Sequence, residues 1–165
     1  MVFEKKPKST LLKKETWCFM NSDKDFASAV FIQCLMDNPR RQGKILYVVC
    51  IREEAVHKQT FWKLPVGKKL PGETPEETAR RVVKNKVGLD ISTKEIREVG
   101  RTKKVGHDLI LFWLEIGKEE ISSLPTTIVV GKIRFTIKLK ELDDLFTPHE
   151  QFFRTHRELI KTFIK

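Results

Sequence analysis

The stretch that decides the fold runs from Trp62 to Leu89 and reads WKLPVGKKLPGETPEETARRVVKNKVGL. The sequence predicts a helix start at Thr74. The Thr74 side chain can accept a hydrogen bond from the Glu77 amide, and the Glu77 carboxylate can accept one from the Thr74 amide. Pro75 suits the first helical position. Gly88 supplies the left-handed conformation that commonly ends a helix. The pattern predicts a helix that begins at Pro75 and ends before Gly88.

Apolar segments on both sides of this helix predict strands. They lie at Ala27–Met36, Ile45–Ile51 and Thr60–Leu64, and at roughly 93–102, 107–117 and 128–139. The first two form a hairpin with a basic loop, and a glycine-containing loop spans Gly67–Gly72. Because runs such as Leu109–Leu114 are apolar on both faces, these strands predict a mixed sheet covered on both sides by helices, which is an α/β fold.

A last helix is predicted to open at Thr147-Pro148-His149-Glu150. Its apolar stripe has the spacing of three to four residues that a helix requires, and consists of Phe152, Phe153, His156, Leu159, Ile160 and Phe163. Two of the histidines, His149 and His156, are about two helical turns apart, which is too far for one metal ion. We expect them to pack or to form hydrogen bonds.

Length and composition favour one intracellular domain. With 165 residues, 40% of them hydrophobic, the chain suits a single core at 17–165, preceded by a basic N-terminal arm at 1–16. The apolar runs are far shorter than the ~20 residues that cross a bilayer, so no membrane contact is expected. No secretory signal follows the N-terminal lysines, and the odd number of cysteines lacks Cys-x-x-Cys spacing. These features predict a cytoplasmic protein with reduced cysteines.

The net charge of +10 favours phosphorylated partners, because a positive field attracts polyanions. Charge alone does not separate this interpretation from a surface that lysines merely solvate. Serine hydrolase, P-loop and zinc motifs are absent from the sequence.

The segment from Trp62 to Gly67 resembles the Trp-x-Leu-Pro-Gly-Gly entry to a Nudix box, with Val66 at the first glycine. The box pattern is G-x5-E-x7-R-E-U-x-E-E-x-G-U, where U is a bulky aliphatic residue. The positions that fall in register are Gly67, Glu73, Arg81, Val83, Gly88 and Leu89. The chain is identified on these residues as a member of the Nudix hydrolase superfamily with a degenerate box. The resemblance implies an α/β/α sandwich with a mixed β-sheet.

Three box positions depart from the family. Its glutamates, which hold Mg²⁺ or Mn²⁺, are replaced here by Val82, Asn85 and Lys86. A divalent ion placed on this helix face would meet an ammonium group, which repels it. We therefore expect no cofactor and no classical hydrolysis at this site. Glu73 alone survives as a candidate catalytic carboxylate or metal ligand, although hydrogen bonding near the helix start explains it better.

Lys86 suggests a binding role, since its ammonium could occupy roughly the space of the missing metal and contact a phosphate. The candidate ligand-binding residues are Lys86, Asn85, Arg81, Gly67 and Lys68. The alternatives are that Lys86 is a solvated surface lysine and that Arg81 only braces the loop.

A second basic surface is predicted on the strand that contains residues 132–140, where apolar residues and cations alternate. The candidate nucleic-acid-binding residues are Lys132, Arg134, Lys138, Arg40 and Arg41. A solvated outer strand face accounts for the same pattern.

Three functions follow from these features. The first is a Nudix module that binds a nucleotide, a nucleoside diphosphate derivative or RNA without hydrolysing it. The second is a pyrophosphohydrolase that uses Mg²⁺ or Mn²⁺ with Glu73 and the acidic residues of 141–150. The third is a protein-interaction scaffold. Nudix domains are often homodimers, so the resemblance leaves that assembly open.

Overall fold

A computed structural model describes residues 24–54 and 61–164. The predicted arm at 1–16 and its boundary at residue 17 lie outside these residues, as does Cys18. Cys34 and Cys50 are buried and unpaired.

The predicted mixed sheet is confirmed, and it contains eight strands where the sequence predicted six. They are β1 (Phe26–Asp37), β2 (Lys44–Glu54), β3 (Trp62–Lys63), β4 (Val66–Lys68), β5 (Arg97–Lys104), β6 (His107–Glu115), β7 (Thr127–Val130) and β8 (Ile133–Glu141). The strand order is β5-β6-β1-β2-β8-β7, with β3 beside β2 and β4 beside β1. Strands β1 and β6 are parallel, whereas the other strand pairs are antiparallel.

Helices cover both faces of the sheet, which confirms the α/β/α sandwich. Helix α1 (Pro75–Val87) and the short helix α2 (Lys118–Ser122) pack on one face, where Val30 and Ile32 of β1 contribute to the core. A 3-10 helix (Leu142–Phe146) and helix α3 (Arg154–Phe163) cover the other face, where Ala29 and Phe31 are buried. Strand β1 is apolar on both faces because helices bury it from both sides.

Helix α1 begins and ends as its sequence predicts. Thr74 and Glu77 form a reciprocal capping box, and Gly88 closes the helix with a φ of 76°. Every helix in the described residues is too short or too polar to cross a membrane.

Several predicted elements were wrong in their extent. The single strand expected at 128–139 is two strands, β7 and β8, because Gly131 adopts a φ of 63° and turns the chain between them. The loop expected at Gly67–Gly72 begins instead as β4, where Gly67 pairs with Ser28 of β1. A three-residue strand is too short to leave a periodic signal.

The last helix starts at Arg154, later than the predicted opening at 147–150. The Gln151 carbonyl accepts a hydrogen bond from the Trp62 amide at 2.7 Å, and the Phe153 amide donates to the Trp62 carbonyl at 2.7 Å. Because this segment pairs with β3, its backbone groups are not available for a helical turn.

Candidate functional site

A cleft of about 650 Å³ lies where the sheet, β4, the last turn of α1 and the start of α3 meet. Its lining includes Ala27 and Leu109 from the sheet, together with Phe61 and Phe153. Four lysines also line it, namely Lys63, Lys68, Lys86 and Lys104. The cleft therefore combines apolar walls with positive charge, the combination that suits a ligand with an apolar part and an anionic part.

One carboxylate partly offsets this charge. Glu53 lies 3.0 Å from the Lys63 ammonium, and both side chains are half-buried. The Lys104 ammonium donates a hydrogen bond to the Thr155 hydroxyl at 3.5 Å. Since the described residues of the lining include four lysines and one acidic residue, they carry a net positive charge.

Lys86 reaches the cleft from the last turn of α1. Its ammonium donates a hydrogen bond to the Val66 carbonyl at 2.6 Å and lies 5.2 Å from the centre of the Phe135 ring. Burial, and then the neighbouring charge of Lys63, lowers the pKa of Lys86 below its usual value. An anion bound here would stabilise the charged form of this lysine.

Of the five predicted ligand-binding residues, Lys86, Lys68 and Gly67 line the cleft. Asn85 is exposed on α1 and is not among the lining residues. Arg81 braces the loop, since its guanidinium donates to the Lys68 carbonyl at 2.7 Å.

The face of α1 that holds metal in the family is closed here. Val82 is fully buried, and a Cβ atom added to Gly67 would lie 2.6 Å from Val82 Cγ2. The glycine therefore allows β4 to approach an apolar side chain where the family has a carboxylate. At the positions of the family's glutamates, helix α1 has Lys86, Asn85 and Val82. An ammonium, an exposed amide and a valine do not fit Mg²⁺ or Mn²⁺.

Glu73 is held in a local hydrogen-bond network. Its carboxylate accepts hydrogen bonds from the Leu70 amide at 2.9 Å, from the Thr78 hydroxyl at 2.8 Å and from Arg81 at 2.6 and 3.0 Å. These bonds, above all the one from Arg81, lower the pKa of Glu73 to about 2. The ionised carboxylate ties the loop to the start of α1.

The acidic residues of 141–150 do not converge on one point. Glu150 lies 2.6 Å from the buried Lys140 ammonium, and Glu141 lies 3.8 Å from Arg41. Asp143 and Asp144 are exposed in the 3-10 helix. Across residues 24–54 and 61–164, no three His, Cys, Asp or Glu side chains are grouped so that they could hold a metal ion.

The predicted nucleic-acid-binding residues are all exposed, but they are not grouped together. Arg134 and Lys138 lie on β8, whereas Arg40 and Arg41 lie in the loop between β1 and β2. Lys132 precedes the first residue of β8, whereas Arg41 lies near Glu141 at its other end. The ends of a nine-residue strand are eight steps apart, or about 26 Å at ~3.3 Å per residue, so these cations do not form a compact site. The alternating pattern of 132–140 also placed Lys140 on this basic surface. Lys140 is instead buried against Glu150 and the Trp62 ring.

Most of the described lining residues were not predicted to bind ligand. The missed residues include Lys63, Lys104, His156, Phe153 and Phe61. His156 is buried, and its Nδ1 accepts a hydrogen bond from the Leu64 amide at 3.1 Å. Burial, with smaller effects from Lys63 and Lys104, lowers its pKa to about 3. Phe153 was predicted to be core, yet it is 41% exposed. Phe61 directly precedes β3, and its alternation with Trp62 and Lys63 was the signal that could have placed Phe61 in the cleft.

Comparison with solved structures places the fold among Nudix proteins. A MutT/nudix family protein from Listeria innocua superposes with a TM-score of 0.62 at 14% identity, over 82% of this chain and 88% of the other. The NUDIX domain of Shewanella oneidensis NrtR, solved with ADP ribose, gives a TM-score of 0.63 at 14% identity, over 82% and 83% of the two chains. The T. brucei MERS1–RNA complex gives 0.50 at 14% identity, over 62% of this chain and 38% of the other.

A comparison with curated proteins found no match. The family model described as the NUDIX domain matches residues 27–163, which include every strand and helix described above except the first residue of β1. The chain therefore belongs to the NUDIX domain family.

Proposed function

We propose that this protein binds a nucleotide or another nucleoside diphosphate derivative in the lysine-lined cleft, without metal and without hydrolysing it. The observation that carries the proposal is the position of Lys86. Its half-buried ammonium points from α1 into the cleft, on the helix whose metal-binding glutamates are replaced. A charged donor in a partly dry site favours contact with a phosphate oxygen.

Three further observations support this function. Lys63, Lys68 and Lys104 line the same cleft, so a ligand with two or more phosphates would meet several cations. Proteins with similar folds were solved with ligands that contain nucleotides, since the NrtR domain was solved with ADP ribose and MERS1 with RNA. Glu73 is engaged by Arg81, Thr78 and the Leu70 amide, which argues against its use as a catalytic base.

Isothermal titration with ADP, ATP and ADP-ribose, in EDTA and then in Mg²⁺, tests the proposal. We expect saturable binding in EDTA that changes less than threefold when Mg²⁺ is added. Lys86→Met should weaken binding about tenfold or more, because a charge-assisted hydrogen bond to phosphate is lost. Lys84→Met is the matched control, since Lys84 is exposed on the same turn of α1 and should leave affinity within twofold.

Other outcomes assign other functions. Release of phosphate products that requires Mg²⁺ or Mn²⁺ and disappears in Glu73→Gln would establish the pyrophosphohydrolase. Absence of saturable binding to any nucleotide or RNA would favour the scaffold. Equal affinities for the Lys86→Met and wild-type proteins would remove Lys86 from the site.

A further inference from the structure

The cleft holds an unusual pair of aromatic side chains. Among the large apolar residues exposed in the described part of the chain, Phe61 and Phe153 are the aromatic members, at 49% and 41% exposure. Both line the cleft, whereas the exposed aliphatic residues do not. Leaving a phenylalanine exposed forgoes burial of its apolar surface, so two in one cleft indicate a binding surface.

The backbone explains why both rings face the cleft. Trp62 and Phe152 form a parallel bridge, and both pack into the core under α3. Side chains alternate along extended chains, so the neighbours of this bridge point the opposite way. Phe61, Lys63 and Phe153 consequently line the cleft together. The same pairing places two rings beside a lysine.

Phe153 is also fixed in position. Its amide donates to the Trp62 carbonyl at 2.7 Å, and its ring meets the His156 ring edge-on, with 5.1 Å between centroids. His156 is in turn held by the Leu64 amide. A ring that is held on two sides loses little freedom when a ligand stacks on it, which favours affinity.

We infer that the ligand is a nucleotide whose base stacks on Phe153 and Phe61 while its phosphates contact Lys86 and the other cleft lysines. This inference rests on the proposed function and deepens it, because it requires a planar ring in addition to phosphate. Aromatic faces bind bases through their π surfaces and apolar area. A polyanion without a ring, such as pyrophosphate, uses only half of the site.

Titration of the full chain in EDTA with ADP and, separately, with pyrophosphate tests the inference. Wild-type protein should bind ADP at least tenfold more tightly than pyrophosphate. Phe153→Leu and Phe61→Leu should each weaken ADP binding about tenfold, within the range measured for removing a base-stacking ring. Pyrophosphate affinity should stay within twofold in both variants, which also shows that they are folded.

Phe153→Tyr is the matched control, because it keeps the ring and should keep ADP affinity within about threefold. Equal wild-type affinities for ADP and pyrophosphate, or unchanged ADP binding in both leucine variants, would overturn the inference. In that case, if Lys86→Met binds neither ADP nor pyrophosphate, the proposed binding of phosphate in the cleft still holds. Failure of wild-type protein to bind either ligand would overturn both proposals.

Discussion

Single residues at the box positions show how the charge of the site has been reversed. Lys86 brings an ammonium to the cleft, while the surviving carboxylate, Glu73, is turned toward Arg81. The two charges lie in different surroundings. Lys86 is half-buried and has a lowered pKa, whereas Glu73 accepts four hydrogen bonds that stabilise its ionised form. Lys86 therefore lines the cleft, whereas Glu73 ties the loop to the start of α1.

Glu73→Gln should lower the free energy of unfolding at pH 7 by about 1–2 kcal/mol, because a charge-assisted network is lost. The Glu73 pKa is depressed to about 2, so its stabilisation is present above about pH 4.5 and disappears as pH falls toward 2. The difference in free energy of unfolding between variant and wild type should therefore shrink as pH falls from about 4.5 to about 2. Urea denaturation at several pH values measures it.

Glu76→Gln is the control for this experiment. Glu76 forms an exposed ion pair with Arg80 on α1, and its loss should cost below about 0.5 kcal/mol. A Glu73→Gln protein as stable as wild type would contradict the structural role of this carboxylate. So would a stability gap that is independent of pH.

At the scale of elements, the contact between β4 and α1 shapes one wall of the cleft. Gly67 lies against Val82 so closely that an alanine Cβ would come within 2.6 Å of Val82 Cγ2. The two elements flank the position from which Lys86 reaches the Val66 carbonyl. Displacement of β4 would therefore disturb both the fold and the cleft.

Gly67→Ala should lower the free energy of unfolding by about 1–3 kcal/mol, the usual cost of overpacking a tight contact. Val82→Ala removes the atom that clashes. The double variant should therefore be at least about 1 kcal/mol more stable than the sum of the two single effects predicts. Urea denaturation of the four proteins completes the cycle.

Gly117→Ala provides the comparison, because Gly117 has a φ of −89° and a Cβ there would be 4.0 Å from its nearest neighbour. Its cost should stay below about 1 kcal/mol. Strict additivity in the Gly67 and Val82 cycle would show that these residues do not contact each other in solution.

At the scale of the whole molecule, the basic residues behind the net charge of +10 lie both inside and outside the cleft. One group of lysines lines the cleft, while Arg134 and Lys138 project from β8 outside it. All of these cations contribute to the long-range field that attracts anions. Only the first group is placed to contact a ligand in the cleft.

Two double variants distinguish the long-range electrostatic field of the protein from direct contacts between the cleft lysines and a ligand. Lys68→Gln/Lys104→Gln and Arg134→Gln/Lys138→Gln each remove two positive charges, so each changes the net charge from +10 to +8. The cleft pair should weaken ADP binding about tenfold or more and reduce its dependence on salt. The β8 pair should leave affinity within twofold at about 0.15 M salt, where fields are screened beyond roughly 8 Å. Titrations at two salt concentrations measure both effects.

Equal losses from the two double variants would show that affinity follows net charge rather than the cleft. Stronger effects from the β8 pair would move the binding site to the surface first predicted from the alternation in 132–140.

Local sequence chemistry predicted much of this fold. The capping box at Thr74 and the glycine at Gly88 set the limits of α1, because both act through bonds to nearby residues. Runs apolar on both faces predicted a sheet buried from two sides. The sequence also singled out Lys86, Lys68 and Gly67 as candidate ligand-binding residues, which the cleft brings together, although their ligand contacts remain predictions.

The sequence by itself thus determined the family, the central helix and the replacement of its metal-binding carboxylates, since each is encoded within one continuous segment. Tertiary structure decided the rest of the site. The pairing of Trp62 with Phe152 joins segments about ninety residues apart, delays the start of α3 and turns Phe61 and Phe153 into the cleft. Periodicity assigned Phe153 to the core because a pattern along one helix carries no information about a strand that pairs with its N-terminal end.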